Sequence, residues 1–303
     1  MKAVVLKGFG GVDQLELQEV DDPQAGPGEV LVRVHAASVN PVDWKIRSGA
    51  MKGFIDVELP AILGRDLAGE VARTGDGVSG FAPGQRVMGL ANGTYAEFTT
   101  VKADVLAPIP DKLSYEQAAA LPLVLLTGAQ LIERGIKIGP GQTVLVLGAV
   151  GNVGRTAVHV ALSHGARVIA GVRGAQEEEA KSLGVERVVA TDDPKGLELL
   201  HDLDAVADTI GGPVGARAVR ALRPGGVFGT VVGPPADAKK YEVRVAAISS
   251  VPDASRLYEL ADEVARGVFS IPVAKVLPLE QVREAHSEAE SGKVSGKIVL
   301  KVA

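Results

Sequence analysis

The sequence predicts an α/β protein in which a doubly wound parallel sheet is joined to a second, β-rich domain. Three observations lead to this prediction. The first 120 residues contain short β-rich runs among many glycines and prolines, the middle of the chain alternates strands with helices, and a glycine cluster at 148–154 separates a strand from a helix. Strand–helix alternation over such a length is typical of βαβ units in a parallel sheet.

The N-terminal elements come first. Strands are expected at AVVL, EVLVRVHAASV, AGEVART, QRVMGL and YAEFTTV, which are bounded by turn residues. A helix should follow with Ser114 as its N-cap, because Gln117 three residues later completes a capping box. A second helix should begin at Pro122 and end at Gly135.

From Gly141 onward the expected strands are TVLVLG, RVIAGV, DAVADTI and GGVFGTVVG, and the helices between them are GRTAVHVALSHG, AQEEEAKSLG and VGARAVRAL. YEVRVAAIS is expected as a strand near the sheet edge. The tail predicts helix, strand, helix and strand. The expected division is 1–122 with 266–303 as one domain and 123–265 as the other.

Composition limits the classes of partner. The net charge of −5 gives no basic surface for nucleic acid or an anionic membrane. The apolar runs are too interrupted to cross a bilayer, and the N-terminus lacks the pattern of a secretory signal. With no cysteine and five scattered histidines, no disulfide or metal site is expected, and a cytoplasmic protein is the default.

The glycine cluster predicts a dinucleotide site. The candidate residues follow a strand and open a helix: Gly148, Ala149, Gly151, Asn152, Val153 and Gly154. In such a turn one glycine lets the backbone approach the pyrophosphate, another lets the helix pack closely on the sheet, and the first helical N–H groups face the phosphate. Alanine at 149 departs from the usual glycine, and the alternative is a tight turn without a ligand.

The cofactor is expected to be NADPH. An NAD site needs an acid about 20 residues after the motif to hold the ribose 2′-OH. Arg173 stands nineteen residues after Gly154, and no acid lies between Arg167 and Gln176. An arginine attracts a 2′-phosphate with a charged, bidentate set of donors. Arg155 and Lys181 are alternatives for the same phosphate. Arg173 could also be a solvated loop arginine that binds no ligand.

Several segments occur in an order that resembles the medium-chain dehydrogenase/reductase superfamily, most closely its zinc-free quinone oxidoreductase (zeta-crystallin-like) branch. They are GPGEVLVRVHAASVNPVDWKIRSG, LGRDLAGEV, GQRVMGL, TYAEFTTV, LTGAQLIERG, LGAVGNVGRTAVHVA and GKVSGKIVLKV. The resemblance covers essentially the whole chain. The resemblance implies a GroES-like β domain made from both chain ends, a Rossmann domain, and an active site in the cleft between them. It also suggests a homodimer formed through an edge strand at residues 241–248.

The resemblance also bears on zinc. Zinc-dependent alcohol dehydrogenases of the superfamily hold the metal with a cysteine and a histidine. At those positions this chain has Asn40 and Arg65, with Asp66 at the glutamate that follows the histidine, and the four-cysteine lobe is missing. Because a tetrahedral catalytic site needs thiolate or imidazole ligands, no zinc is expected. Ordinary alcohol oxidation, which uses that Lewis acid, is then not expected either.

Hydride transfer to quinones or α,β-unsaturated carbonyls remains, because the product anion is delocalised and the protein supplies mainly positioning. The resemblance places Thr127 at the nicotinamide carboxamide and Gly233 near the nicotinamide ring. Asn40 is a candidate donor to a substrate carbonyl, Lys45 a candidate for stabilising the oxyanion, and Asp43 a third candidate. Their alternatives are a turn residue before Pro41, a surface lysine, and a structural aspartate tied to the pocket wall or to Arg65.

Three functions stay open on the sequence. The first is an NADPH-dependent, zinc-free reductase of small-molecule quinones or enones. The second is an enoyl reductase that acts on acyl thioesters, since similar domains serve fatty-acid and polyketide systems. The third is a non-catalytic NADPH-binding protein. The glycine cluster and Arg173 suit all three, so only turnover separates them.

Overall fold

The strands predicted in the first 120 residues pair into antiparallel sheets. The computed structural model describes residues 1–303, with Pro194 described by its backbone alone. The first strands are β1 (Lys2–Leu6), β2 (Leu15–Glu19), β3 (Glu29–Val39), β4 (Ala61–Ile62), β5 (Asp66–Thr74), β6 (Arg86–Leu90), β7 (Phe98–Lys102) and β8 (Leu106–Pro108). Two helices accompany them, α1 (Pro41–Ser48) and α2 (Tyr115–Ala119). The predicted capping box opens α2, because Ser114 Oγ accepts the N–H of Gln117 at 3.2 Å.

The middle of the chain forms the predicted alternation. Its helices are α3 (Pro122–Gln130), α4 (Asn152–Ser163), α5 (Glu177–Lys181), α6 (Pro194–Glu198) and α7 (Gly212–Ala218). Its strands are β9 (Thr143–Leu147), β10 (Arg167–Val172), β11 (Arg187–Ala190), β12 (Leu203–Asp208), β13 (Leu222–Thr230) and β14 (Arg244–Ala247). The six strands form one parallel sheet, and this confirms the predicted fold class.

The tail forms the predicted helix, strand, helix and strand: α8 (Ala254–Ala265), β15 (Val273–Pro278), α9 (Val282–Ser291) and β16 (Lys297–Lys301). β16 pairs antiparallel with β3, so the last strand joins the sheet formed by the N-terminal part. That sheet runs β15-β16-β3-β5-β6-β8, with β7 also paired to β3, and a smaller sheet runs β2-β1-β4. The β-rich unit is therefore built from both ends of the chain, as the resemblance implied.

The order of the parallel sheet locates a ligand crevice. The strands run β11-β10-β9-β12-β13-β14, so the chain winds outward from β9 in one direction and then in the other. Ligands of doubly wound folds bind outside the carboxyl ends of the strands at such a switch point. β14 is the terminal strand on one side, where the sequence predicted an edge strand. The homodimer contact proposed there stays a prediction.

The chain divides into Met1–Leu123 with Pro252–Ala303 as one unit and Val124–Val251 as the other. The second boundary differs from the expected one at 265/266. Residues 254–265 form α8, which contacts β8 and so belongs with the β-rich unit. The two divisions therefore differ by about one helix, because helical periodicity does not show which sheet a helix packs against.

The helical run that begins at Pro122 ends one residue later than the predicted Gly135. α3 continues as a π-helical turn, Leu131–Ile136, and Lys137 follows as its C-cap with φ of +60°. The stretch Tyr115–Ile136 is long and apolar enough to cross a membrane by length and composition alone, and 83% of its most apolar window is buried inside the protein. Core helices of soluble proteins pass the same test, so the stretch is weak support for a membrane span.

Candidate active site

The predicted glycine cluster forms the turn between β9 and α4. Gly148 has φ of +75°, and its N–H donates to the carbonyl of Gly171 on β10 at 2.8 Å. The N–H of Gly151 donates back to the carbonyl of Gly148 at 2.8 Å. Ala149, where the usual motif has glycine, is fully buried and does not need a positive φ. The left-handed residue of the turn is thus Gly148, and this explains why alanine fits at 149.

Two further glycines let the helix begin close to the strand end. A Cβ on Gly154 would lie only 2.0 Å from the carbonyl oxygen of Gly148, and a Cβ on Gly151 would lie 3.1 Å from the same oxygen. The N–H groups of the first helical turn, 152–154, have no acceptor within the helix. With Gly151 exposed beside them, these donors fit the pyrophosphate of a dinucleotide.

Thr127 and Gly233 fit the nicotinamide end of such a cofactor. Thr127 lies on α3 with 7% of its surface exposed, and its buried Oγ1 has no hydrogen-bond partner among the described residues. A buried hydroxyl without a partner costs free energy, so a bound amide that pairs with it would be favoured. Gly233 has φ of +102° beyond the end of β13, where a Cβ would meet no atom within 4 Å.

Arg173 follows directly after β10 and is exposed. Its backbone N–H and its Nε both donate to Gln176 Oε1 at 3.3 Å. The alternative cations are already paired with carboxylates: Arg155 with Glu179, and Lys181 with Glu178. In the part of the chain that the structure describes, Arg173 has no such ion pair. It is therefore the cation at this strand end that fits a 2′-phosphate.

The structure adds an acid that the sequence analysis missed. Asp192 follows β11, and its Oδ1 accepts the N–H of Gly174, the residue after Arg173, at 2.9 Å. β11 pairs with β10, so the neighbouring strand delivers this carboxylate to the same end of the sheet. A search that stops at the end of the second strand cannot find it. Arg173 and Asp192 thus place one cation and one anion at the same end of the sheet.

In the β-rich unit, two of the three residues at the metal-ligand positions, Asn40 and Asp66, belong to a buried hydrogen-bonded cluster. Lys297 Nζ lies 2.5 Å from Asn40 Oδ1 and 3.3 Å from Asp66 Oδ2. Asp66 Oδ2 also accepts from Asn40 Nδ2 at 2.8 Å and from Ser38 Oγ at 2.6 Å. Burial lowers the pKa of the Lys297 amine, and the Asp66 carboxylate opposes this effect. The cluster thus contains a buried ammonium–carboxylate pair.

These contacts occupy both atoms of the Asn40 side-chain amide. Asn40 is 0% exposed and precedes α1, and its backbone N–H donates to Asp43 Oδ2 at 2.8 Å. For Asn40 to donate to a substrate carbonyl, its Nδ2 would have to give up the bond to Asp66 Oδ2 or the 3.5 Å contact with the carbonyl of Ser38. The substrate-binding role of Asn40 stays a prediction, whereas its structural role in the cluster is observed.

Asp43 is tied to Tyr95 and Asn40, and its observed partners do not include Arg65. Its Oδ2 accepts the Tyr95 hydroxyl at 3.0 Å, and its buried Oδ1 has no partner among the described residues. Burial raises the pKa of the Asp43 carboxyl to about 7, and the nearby Asp66 carboxylate adds to the effect. Asp43 is therefore a buried carboxyl group whose pKa lies near neutral pH.

Lys45 lies two residues after Asp43 on α1. Its side chain is half-buried, and its Nζ lies 5.6 Å from the centre of the Trp44 ring. The described residues give its ammonium no ion pair and no hydrogen bond to the buried cluster. The structure therefore brings Asn40 and Asp43 together and leaves Lys45 as a separate cation on the same helix.

Replacing Asp43 with asparagine should change how stability depends on pH. Below its unfolded pKa of 3.8 the carboxyl is neutral in both states, and between about pH 4 and about pH 7 only the unfolded state ionises. As the pH rises through this interval, the free energy of unfolding of the wild type should therefore fall relative to that of Asp43→Asn, by a few kcal/mol at about 1.4 kcal/mol per pKa unit. Urea unfolding of both proteins at several pH values measures the difference.

That comparison removes the contribution of other titrating groups. Burial lowers the pKa of the His286 imidazole from its usual 6.5 to about 3. This residue therefore destabilises the protein in the opposite direction, as the pH falls below 6.5. Because His286 is present in both proteins, it cancels from the difference. A difference that stays constant from about pH 4 to about pH 7 would contradict the buried, proton-exchanging Asp43.

The donors at the metal-ligand positions do not fit a zinc ion. Among the described residues there is no group of three or more histidine, cysteine, aspartate or glutamate side chains that could hold a metal. Asn40, Arg65 and Asp66 stand at the relevant positions, and Asp66 is already bonded to an ammonium. Structural and catalytic zinc sites use thiolate, imidazole and carboxylate ligands in tetrahedral geometry, which this set does not supply.

Known families and proteins match most of this chain. Residues 26–111 match the alcohol dehydrogenase GroES-like domain family, and residues 183–300 match the zinc-binding dehydrogenase family. A chloroplast envelope quinone oxidoreductase homolog from Arabidopsis thaliana is 30% identical over 313 residues, which cover 96% of this chain and 95% of that protein. A 2-methylene-furan-3-one reductase from Solanum lycopersicum is 30% identical over 321 residues, 99% of this chain and 79% of that protein.

A solved structure extends the comparison to the fold as a whole. A mycobacterial protein complexed with NADPH has a TM-score of 0.87 to this chain at 29% identity, and the alignment covers 100% of both chains. The two family matches and the full-length relative agree with the observed pairing of a GroES-like unit with a Rossmann unit. The chain therefore belongs to the medium-chain dehydrogenase/reductase superfamily of oxidoreductases, in its quinone oxidoreductase branch.

Proposed function

We propose that the protein is an NADPH-dependent reductase that transfers hydride to quinones or α,β-unsaturated carbonyls without zinc. The observation that carries the proposal is the glycine turn at the switch point of the parallel sheet, with Arg173 exposed at the end of the next strand. The similarity of nearly the whole of this chain to a quinone oxidoreductase homolog and to a 2-methylene-furan-3-one reductase supports the two acceptor classes. The NADPH complex of a structural relative supports the cofactor.

The second unit supplies the cofactor site. NADPH, when bound, supplies the hydride. The backbone donors at 152–154 would hold its pyrophosphate, and the unpaired Oγ1 of Thr127 would pair with its carboxamide. Arg173 would bind the 2′-phosphate through its guanidinium, whose only hydrogen bond among the described contacts goes to a neutral glutamine.

The β-rich unit would position the acceptor. Hydride addition to a quinone or enone creates a delocalised oxyanion, which takes its proton from water, so a nearby positive charge is the main help required. Lys45 on α1 carries such a charge and has no ion pair among the described residues. The buried cluster of Asn40, Asp66 and Lys297 holds the residue that precedes this helix and thereby fixes where the helix begins.

An acceptor panel at fixed NADPH concentration tests the proposal. The panel contains quinones, enones, an enoyl thioester and a saturated aldehyde, and the loss of NADPH absorbance is the readout. We expect turnover with quinones or enones and none with the aldehyde, because hydride addition to a simple carbonyl gives a localised alkoxide that needs a Lewis acid or a proton donor. Turnover confined to the thioester would favour the acyl-thioester reductase. Tight NADPH binding without any turnover would favour a non-catalytic binding protein.

A further inference from the structure

A buried carboxylate lies at the carboxyl end of β12, beside the glycine turn. Asp208 is the last residue of this strand and is 0% exposed, and its Oδ1 accepts the N–H groups of Ile210 at 3.0 Å and Gly211 at 2.8 Å. The described residues give it no ion pair, and burial raises the pKa of its carboxyl. Burial of an unpaired carboxylate costs free energy, and these hydrogen bonds offset that cost. They also fix the backbone of residues 209–211.

Thr230 connects this loop to the next one. It is the last residue of β13 and lies directly opposite Asp208 in the parallel register. Its Oγ1 lies 3.4 Å from Asp208 Oδ2 and 3.3 Å from the carbonyl oxygen of Gly233, and it accepts the N–H of Val232 at 3.2 Å. A single hydroxyl therefore links the end of β12 to the loop at 231–233.

The loop after β12 is also bonded to the glycine turn. Thr209 Oγ1 donates to the carbonyl of Leu147, the last residue of β9, at 2.7 Å. A Cβ on Gly148 would lie only 2.6 Å from the same Thr209 oxygen, so the turn and the loop are in close contact. Three neighbouring strand ends, those of β9, β12 and β13, are thus held together by side-chain hydrogen bonds.

The two outer loops present an exposed apolar surface. Ile210 is 44% exposed and Val232 is 40% exposed, although both are large apolar side chains. A Cβ on Gly211 would lie 3.0 Å from Val232 Cγ2, so the loops are in contact. This apolar surface lies at the carboxyl ends of the strands, next to the glycine turn. One face of a planar ring could pack against it.

We propose that Asp208 and Thr230 are a positioning pair that fixes the loops 209–211 and 231–233 against the glycine turn and so shapes the nicotinamide end of the cofactor site. The inference rests on the proposed function, because it requires a nicotinamide dinucleotide. Neither residue is assigned contact with the reacting atoms. Both act through the backbone of residues 210, 211, 232 and 233.

The test compares the binding of two ligands to the whole protein. NADPH contains the nicotinamide half, and adenosine 2′,5′-bisphosphate lacks it. Calorimetric or fluorescence titration of Thr230→Val and Asp208→Asn should show about a tenfold weaker NADPH affinity, the size expected from losing one buried hydrogen bond. The affinity for adenosine 2′,5′-bisphosphate should stay unchanged, because the pair does not touch the adenosine end.

Two controls separate positioning from general damage. Thr230→Ser keeps the hydroxyl and should restore the wild-type NADPH affinity. Asp204→Asn changes an aspartate near the opposite end of the same strand, where it accepts from Thr143 N at 2.7 Å and from Arg223 Nε at 2.9 Å. This variant should leave both affinities unchanged, even if it lowers the unfolding midpoint.

Several outcomes would overturn the inference. Equal weakening of both ligands in the Thr230 and Asp208 variants would mean general loss of the domain structure, and unchanged NADPH affinity would mean that the pair positions nothing. If Asp208→Asn does not fold, Thr230→Val decides alone. A wild-type protein that binds NADPH but reduces no acceptor would refute the reductase and leave this inference standing. A wild-type protein that binds no dinucleotide would refute both.

Discussion

Replacing Gly154 with alanine is expected to remove tight dinucleotide binding. The new Cβ would lie 2.0 Å from the carbonyl oxygen of Gly148, 2.7 Å from its carbonyl carbon and 2.9 Å from Ala149 Cα. These are backbone atoms, which cannot rotate away as a flexible side chain can. The start of α4 must therefore move away from the turn, and this separates the helical N–H groups from the turn that places the pyrophosphate.

The expected effect is large. Overpacking of this kind costs about 1–3 kcal/mol, and about 3 kcal/mol corresponds to roughly 100-fold in affinity. NADPH titration measures the affinity, and urea unfolding measures the accompanying loss of stability. Gly139→Ala is the matched control, since its Cβ would meet only the side-chain oxygen of Gln142 at 3.4 Å. Near-wild-type NADPH affinity in Gly154→Ala would show that the phosphate does not bind at this turn.

The fold was predictable from local pattern because each element carries its own signal. The parallel sheet follows from short apolar runs that alternate with helices, and β9 is fully buried from Val144 to Leu147, as a central parallel strand should be. The Ser114 capping box and the edge position of β14 were predicted for the same reason. Which unit receives α8 was not predictable, since the choice depends on packing against β8.

The glycine turn was also predictable, but its neighbours were not. Lys297 reaches Asn40 across 257 residues of sequence because β16 pairs with β3. Asp192 reaches Gly174 through the pairing of β11 with β10. The only signal for Lys297 was a lysine at the start of the apolar run KIVLKV, and it does not indicate a partner. Contacts made by strand pairing become visible only once the register is known.

The sequence also did not show that Gly148, and not residue 149, is the left-handed residue of the turn. The sequence shows an alanine where the usual motif has glycine and offers Gly148 as a neighbour. Only the observed φ of +75° at Gly148, together with its bond to the carbonyl of Gly171, shows which residue makes the turn. A departure from a motif is therefore best judged from backbone geometry.

Replacing Arg173 with alanine should remove the preference for NADPH. A guanidinium bound to a phosphate contributes about 1.5–3 kcal/mol, so kcat/KM for NADPH should fall by roughly 10- to 100-fold. NADH has no 2′-phosphate, and its kcat/KM should change little. Asp192→Asn is the matched variant on the neighbouring strand. If Asp192 instead held a ribose 2′-OH, this variant would lower the use of NADH.

The ratio of kcat/KM for NADPH to kcat/KM for NADH, measured with one quinone acceptor in the wild type and in Arg173→Ala, tests the proposed NADPH-dependent reductase most directly. We predict turnover with a preference for NADPH of at least about tenfold in the wild type, and a ratio near one in the variant. A wild type that consumes neither cofactor, that prefers NADH, or whose ratio is unchanged by Arg173→Ala would contradict the proposal.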